Sequence, residues 1–327
     1  MNIKRILFII LAVAIVVGVV FAIVNVKKQD TLVSSNDHLT EKLKVVSSNF
    51  ASYDFLRAII GETENVELTF LLGPGKDAHS YDPTASDLIK IQNADLFVYV
   101  GGEMEGWADR VIESLDNKDI AMVCIADYVE TMEEQEVDGA EEEEEEEEEG
   151  AFDEHIWTSP ENAVKMVNAL EESMERLDQG NREKYRENAD KYIAQVKEVD
   201  SKIQNIVDNK VRNRLLFGDK MPMQYFMDYY GLEVSAAFSG CSTETEPSAQ
   251  TIAYLIGKAK EENIPVILYI ELSSGKVAKV IADEVGNGCC AMQIQTLHNV
   301  SLDDFNRGET WVSLMNRNLD VLRAALQ

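Results

Sequence analysis

Four histidines occur in the chain, and two stand where ligand chemistry is expected. His79 lies in Gly73-Pro74-Gly75-Lys76-Asp77-Ala78-His79-Ser80-Tyr81-Asp82-Pro83-Thr84, just past an apolar run. His155 lies in Asp153-Glu154-His155-Ile156-Trp157-Thr158-Ser159-Pro160, just ahead of an amphipathic one. Both read as loops at the ends of α/β elements, where open parallel sheets bind their ligands. Neutral imidazole is the commonest transition-metal ligand, and carboxylates complete such sites. Taken singly, each reads more readily as a surface or capping residue than as a ligand. His38 and His298 have no ligand candidates beside them and read as surface positions. Cys124, Cys241, Cys289 and Cys290 match neither a zinc ribbon nor a CxxC pair. The neighbours Cys289 and Cys290 are poorly placed to bridge each other. Trp107, Trp157 and Trp311 read as core. There is no Walker loop, nucleophile elbow or HExxH motif, so nucleotide-binding and hydrolase readings have no support.

The elements that must position these residues alternate strand and helix. Residues 44–48, 66–72, 96–100 and 120–125 read as strands, with 52–61, 85–93 and 104–115 as helices between and around them. Leu96-Phe97-Val98-Tyr99-Val100 is a continuous apolar run of the kind that suits a buried parallel strand. A second series follows: strands at 214–217, 233–238, 266–270 and 290–295, and helices at 223–230, 249–262, 275–285 and 311–326. Between the series, residues 181–209 form a long amphipathic pattern of about 43 Å as a helix, enough to run along two lobes. The pattern predicts an α/β protein of two similar lobes joined by one long helix. The divisions are an N-terminal lobe at 44–180, a connecting helix at 181–212 and a C-terminal lobe at 213–327. Glu141 through Glu149 is unbroken polyglutamate within an acidic loop at 130–152, and reads as a solvated insertion.

The first 24 residues read as a membrane anchor or signal: Lys4-Arg5, then uncharged residues 6–24, then Lys27-Lys28. Nineteen residues make a helix of about 28 Å, close to the hydrocarbon thickness, and the run ends without a good cleavage site. Residues 25–43 read as a polar stalk, and the body is exported. An exported chain with four cysteines has room for a disulfide, which spacing does not assign. A formal charge of −29 excludes nucleic acid as a partner and favours cations.

The Pro-Gly…His-Ser-Tyr-Asp-Pro-Thr block, the Asp-Glu-His-Ile-Trp block, Val45-Val46-Ser47-Ser48, Ala94-Asp95-Leu96-Phe97-Val98-Tyr99 and residues 302–326 follow one another at telling distances. Together they resemble the zinc- and manganese-specific solute-binding proteins of ABC importers, over about residues 44–327. The resemblance implies a metal cleft between the lobes, with His79 and His155 as ligands from the first. It implies a His or Glu at a strand end shortly before the helix that closes in Tyr230-Gly231. Straight counting puts Lys220 there, and an ammonium cannot bind metal; Asp219 is the candidate if Pro222 marks a one-residue shift. The fourth ligand is expected to be Glu271, with Glu244, Glu246 and, less fittingly, Cys241 as rivals. Two imidazoles and two carboxylates suit Zn2+, with Mn2+ as alternative. A closed four-ligand site leaves no position for activated water, so no catalysis is expected. The implied partner is an ABC permease in the membrane, met by a monomer; a metal-binding surface adhesin is the alternative role.

Overall fold

The computed structural model describes residues 42–141, 152–240 and 246–327. The first lobe holds β1 (Leu43–Ser47), α1 (Phe50–Ile60), β2 (Val66–Phe70), α2 (Ala85–Gln92), β3 (Leu96–Tyr99), α3 (Trp107–Ser114) and β4 (Ala121–Cys124). Its four strands are all parallel, in the order β2-β1-β3-β4. The chain then enters α4 (Pro160–Leu177) and α5 (Arg182–Asp208). The second lobe repeats the plan with β5 (Arg214–Met221), α6 (Gln224–Tyr230), β6 (Glu233–Ser239), α7 (Ala249–Glu261), β7 (Val266–Ile270), α8 (Lys276–Val285) and β8 (Cys290–Ile294). Its parallel sheet runs β6-β5-β7-β8, followed by α9 (Leu302–Asn306) and α10 (Trp311–Leu326). In each sheet the strand order reverses beside the first strand, and crevices open at such switch points beyond the strands' carboxyl ends.

Burial explains why the sequence pattern was readable. Val45, Leu96, Val98 and Leu268 are wholly buried, and their strands are covered on both faces. Helix α5 buries Tyr185, Tyr192, Val196, Val199, Ile203 and Ile206 along one stripe and leaves its charged residues outside. One hydrophobic cluster runs from Phe50 and Leu56 through α5 to Phe217, Phe226 and Trp311, so the lobes share a core. At its centre the buried Asp54 carboxylate accepts from Tyr192 Oη at 2.5 Å and from the Trp311 amide at 2.6 Å. The expected helix at 104–115 is broken: a 3-10 turn at Glu103–Glu105 meets α3 at Gly106. Helix α9, capped by Ser301, was not foreseen.

The acidic loop assigned to the first lobe needs correction. Its leading part lies along the second. The Met132 amide donates to Tyr225 Oη at 3.0 Å, Gln224 Nε2 to the Glu133 carbonyl at 2.8 Å, and the Glu141 amide to the Ala237 carbonyl at 3.0 Å. Asp138 forms a parallel bridge with Ser235. The reason is that β6 is an edge strand, whose unpaired backbone groups accept another segment. Arg214, Ser235 and Tyr254 fix the Asp138 carboxylate there. Glu142 to Glu149 and the expected anchor at 1–24 lie outside the described residues. Among the described residues no helix is long and apolar enough to cross a membrane.

Candidate metal centre

His79 sits in the long connection after β2. Leu71 and Leu72 still bond Ser47 and Ser48, and the chain then turns through Gly73 and Gly75, both at positive φ. Asp77 Oδ1 accepts from the His79 amide at 2.9 Å and the Ser80 amide at 3.3 Å, an Asx turn that sets the imidazole's direction. His155 precedes α4, whose first turn is set by Ser159 as cap and Pro160. Asp153 Oδ1 accepts from both the His155 amide (2.7 Å) and Nδ1 (2.8 Å). That pairing places the proton on Nδ1 and turns Nε2 outward as the basic atom. Asp153 is itself held by Tyr225 Oη, from the second lobe, on its carbonyl at 2.7 Å.

The third imidazole is His298, which the sequence reading placed on the surface. It is 7 % exposed. Ring centroids lie 5.7 Å apart for His79 and His155, 5.2 Å for His79 and His298, and 5.6 Å for His155 and His298. One ring nitrogen from each falls within 4.8 Å of the others. Zinc–nitrogen bonds of about 2.0–2.1 Å are within reach of a small contraction. The loop carrying His298 crosses to the first lobe. Trp157 Nε1 donates to the Thr296 carbonyl at 3.0 Å, Asn299 Nδ2 to the Gly73 carbonyl at 3.1 Å, and the Gly75 amide to the Val300 carbonyl at 2.8 Å. The signal that could have found it was position: His298 follows β8 at its carboxyl end, as His79 follows β2.

Burial, followed by the charges of its two imidazole neighbours, pushes His79 down to about 3. Burial, then His155 and Lys220, does the same to His298, also about 3. Both rings are therefore neutral at pH 7, the form that binds metal. The Nε2 atoms of His79 and His298 are buried without a hydrogen-bond partner, as is Asp219 Oδ2. Buried polar atoms are normally satisfied, and the two neighbouring imidazole nitrogens without a hydrogen-bond partner have lone pairs to offer a cation.

The two carboxylates expected as ligands stand apart from this group. Glu271 requires correction: its Oε2 accepts from the Thr296 amide at 2.7 Å and its Oε1 from the His298 amide at 2.9 Å, with Thr296 Oγ1 at 2.9 Å. A buried carboxylate is drawn to converging backbone N–H groups, so Glu271 holds the turn that presents His298. Leu297, in the middle of that turn, has φ 61°, a strained value for leucine. Asp219 is in a different position. Between Phe217 and Lys220 strand β5 carries one residue more than β6, a bulge. Asp219 and Lys220 both line a cleft cavity of about 380 Å³ with His298 and Glu271. Of the rivals, Glu246 is exposed, and Cys241 and Glu244 lie outside the described residues. Trp107, Trp157 and Trp311 are buried, as expected of core.

Asp153→Ala should lower zinc affinity about ten- to hundredfold, the range for losing such a partner. Competition titration against a chelator measures it; unchanged affinity would show that the Asp153–His155 bond does not matter to the metal.

Fold and site together define a two-lobed α/β protein with three imidazoles gathered between its lobes. A family model described as ZnuA, zinc-uptake complex component A, periplasmic, matches residues 45–325. The chain belongs to that family. It is 32 % identical over 312 residues to the high-affinity zinc uptake system protein ZnuA of Bacillus subtilis, covering 95 % of this chain and 96 % of that one. It is 30 % identical over 283 residues to the zinc-binding lipoprotein AdcA of Streptococcus pneumoniae, covering 86 % of this chain but 55 % of AdcA. The crystal structure of the Zn(II)-bound ZnuA-like domain of Streptococcus pneumoniae AdcA superposes with a TM-score of 0.72 at 26 % identity, covering 87 % of this chain and 99 % of that domain.

Proposed function

We infer that this chain is the extracytoplasmic capture component of a zinc importer, which binds one Zn2+ ion as cargo and passes it to a membrane permease. The observation that carries this is the convergence of His79, His155 and His298 with two Nε2 atoms buried and unpartnered. Asp219, with Oδ2 buried and unpartnered in the same cleft, completes the set when the pocket contracts on the ion. Three nitrogens and one oxygen favour zinc over manganese, which prefers oxygen-rich sets. Four protein ligands leave no place for a reactive water, so the centre holds metal rather than performing chemistry. The N-terminal 24 residues export the body and tether it, and 25–43 serve as stalk. The lobes are 44–180, less the segment 132–141 that lies along the second lobe, and 213–327, joined by 181–212, and the molecule acts as a monomer.

The test is stoichiometric zinc titration of the wild type and of His79→Ala/His155→Ala. One tight equivalent in the wild type and none in the double variant is the expected result. A double variant that still takes one equivalent tightly would overturn the assignment.

A further inference from the structure

Lys220 is out of character for a cation site. Alternate residues of a strand face opposite sides, yet Asp219 and Lys220 line the same cavity because the β5 bulge falls between Phe217 and Lys220. The cavity wall also carries Asp77, Glu271 and His298. Although three carboxylates line the same cavity, the Lys220 ammonium enters no ion pair among the described residues. Its charge reaches both His79 and His298, where it disfavours further positive charge. An ammonium so placed cannot ligate, and it repels any dication that arrives.

We propose that Lys220 is an affinity-setting residue: a tethered cation that shares the cleft with the imidazole trio, offsets its carboxylates when metal is absent, and weakens the grip on zinc when metal is present. This rests on the trio being the zinc site. An anion-holding role is the less favoured use of the ammonium, since Asp77, Asp219 and Glu271 line the same cavity. A carrier that must surrender its ion gains from such a device, because affinity differences between related complexes are mostly differences in dissociation rate.

The experiment compares zinc affinity and release rate for the full chain, Lys220→Met and Lys220→Arg, by chelator competition and stopped flow, with Co2+ absorption spectra as a check on ligand geometry. Lys220→Met is expected to bind zinc about ten- to hundredfold tighter and to release it correspondingly more slowly. Lys220→Arg should match the wild type, and all three Co2+ spectra should coincide. The gap between Met and Lys should narrow as sodium chloride rises from about 50 mM to about 500 mM. Unchanged or weaker zinc binding by Lys220→Met, or an altered Co2+ spectrum, would overturn the proposal. So would zinc binding that inorganic phosphate strengthens in the wild type and not in Lys220→Met. A wild type that takes up no stoichiometric zinc would instead defeat the underlying site; wild-type binding with no tightening in Lys220→Met would defeat this inference alone.

Discussion

Replacing His298 by alanine is expected to weaken zinc binding about a hundred- to a thousandfold, as large a loss as removing His79. The reasoning is a division of labour. A protein zinc site is worth roughly 10–16 kcal/mol over four ligands, so one imidazole carries about 2.5–4 kcal/mol, and 1.4 kcal/mol is tenfold. His298 shares its nearest-neighbour distances with His79 and His155, so no argument makes it the lesser ligand. The measurement is chelator competition on His298→Ala, with His38→Ala as a control carrying the same loss of one imidazole. A loss under threefold would mean that His298 is merely packed beside the metal. Glu271→Gln adds a second reading: it keeps the acceptor for one amide but not the charge, and should fall between wild type and His298→Ala.

Acid should remove the stabilisation that two depressed imidazoles give the metal-free protein. His79 and His298 titrate near 3 when folded and near 6.5 when unfolded. Between those values the unfolded chain binds more protons, so the stabilisation present above pH 6.5 is lost as pH falls toward 3. Each group contributes about 1.4 kcal/mol per pH unit once well inside that window. Glu105 and Glu171 work against them: burial raises each to about 7, so their contributions are lost as pH rises from 4.5 through 7, and burial raises Asp54 and Glu271 in the same sense. The imidazole share is readable as the urea-unfolding free energy that the wild type loses from pH 7 to 5 in excess of the His79→Ala/His298→Ala variant. The same depressed values keep protons from competing for the two rings. Zinc affinity of the folded protein should therefore hold to within about tenfold from pH 7.5 to 5.5, where two ordinary histidines would lose about a hundredfold. A fall of that size in the titration would show that the rings are solvated.

The lobes were legible because buried parallel strands are written as unbroken apolar runs, and residues 266–270 became β7 with the same bounds. His79 and His155 were legible because each lies in a block rich in polar and turn-forming residues beside an element end. His298 was not, since Thr296, Leu297, Asn299 and Val300 offer no ligand chemistry of their own. Its partners come from loops more than 140 residues earlier in the chain. Glu271 was misread for a related reason. A carboxylate at a strand end looks like a ligand until the fold brings the Thr296 and His298 amides to it. The leading half of the acidic loop was misplaced because pairing with an exposed sheet edge leaves no periodic trace in so short a segment.

The hydrogen bond from Asn299 to the Gly73 carbonyl joins residues 226 apart in sequence. In a chain that emerges from a membrane N-terminus first, His79 and His155 are outside long before their third companion. Nascent or truncated forms therefore present only two of the three imidazoles of the trio, and ion capture becomes a property of the finished molecule. With zinc held by this trio, as proposed, the ion doubles as an inspector of maturation, because its binding free energy is available only after the last eighth of the chain has docked onto the first lobe.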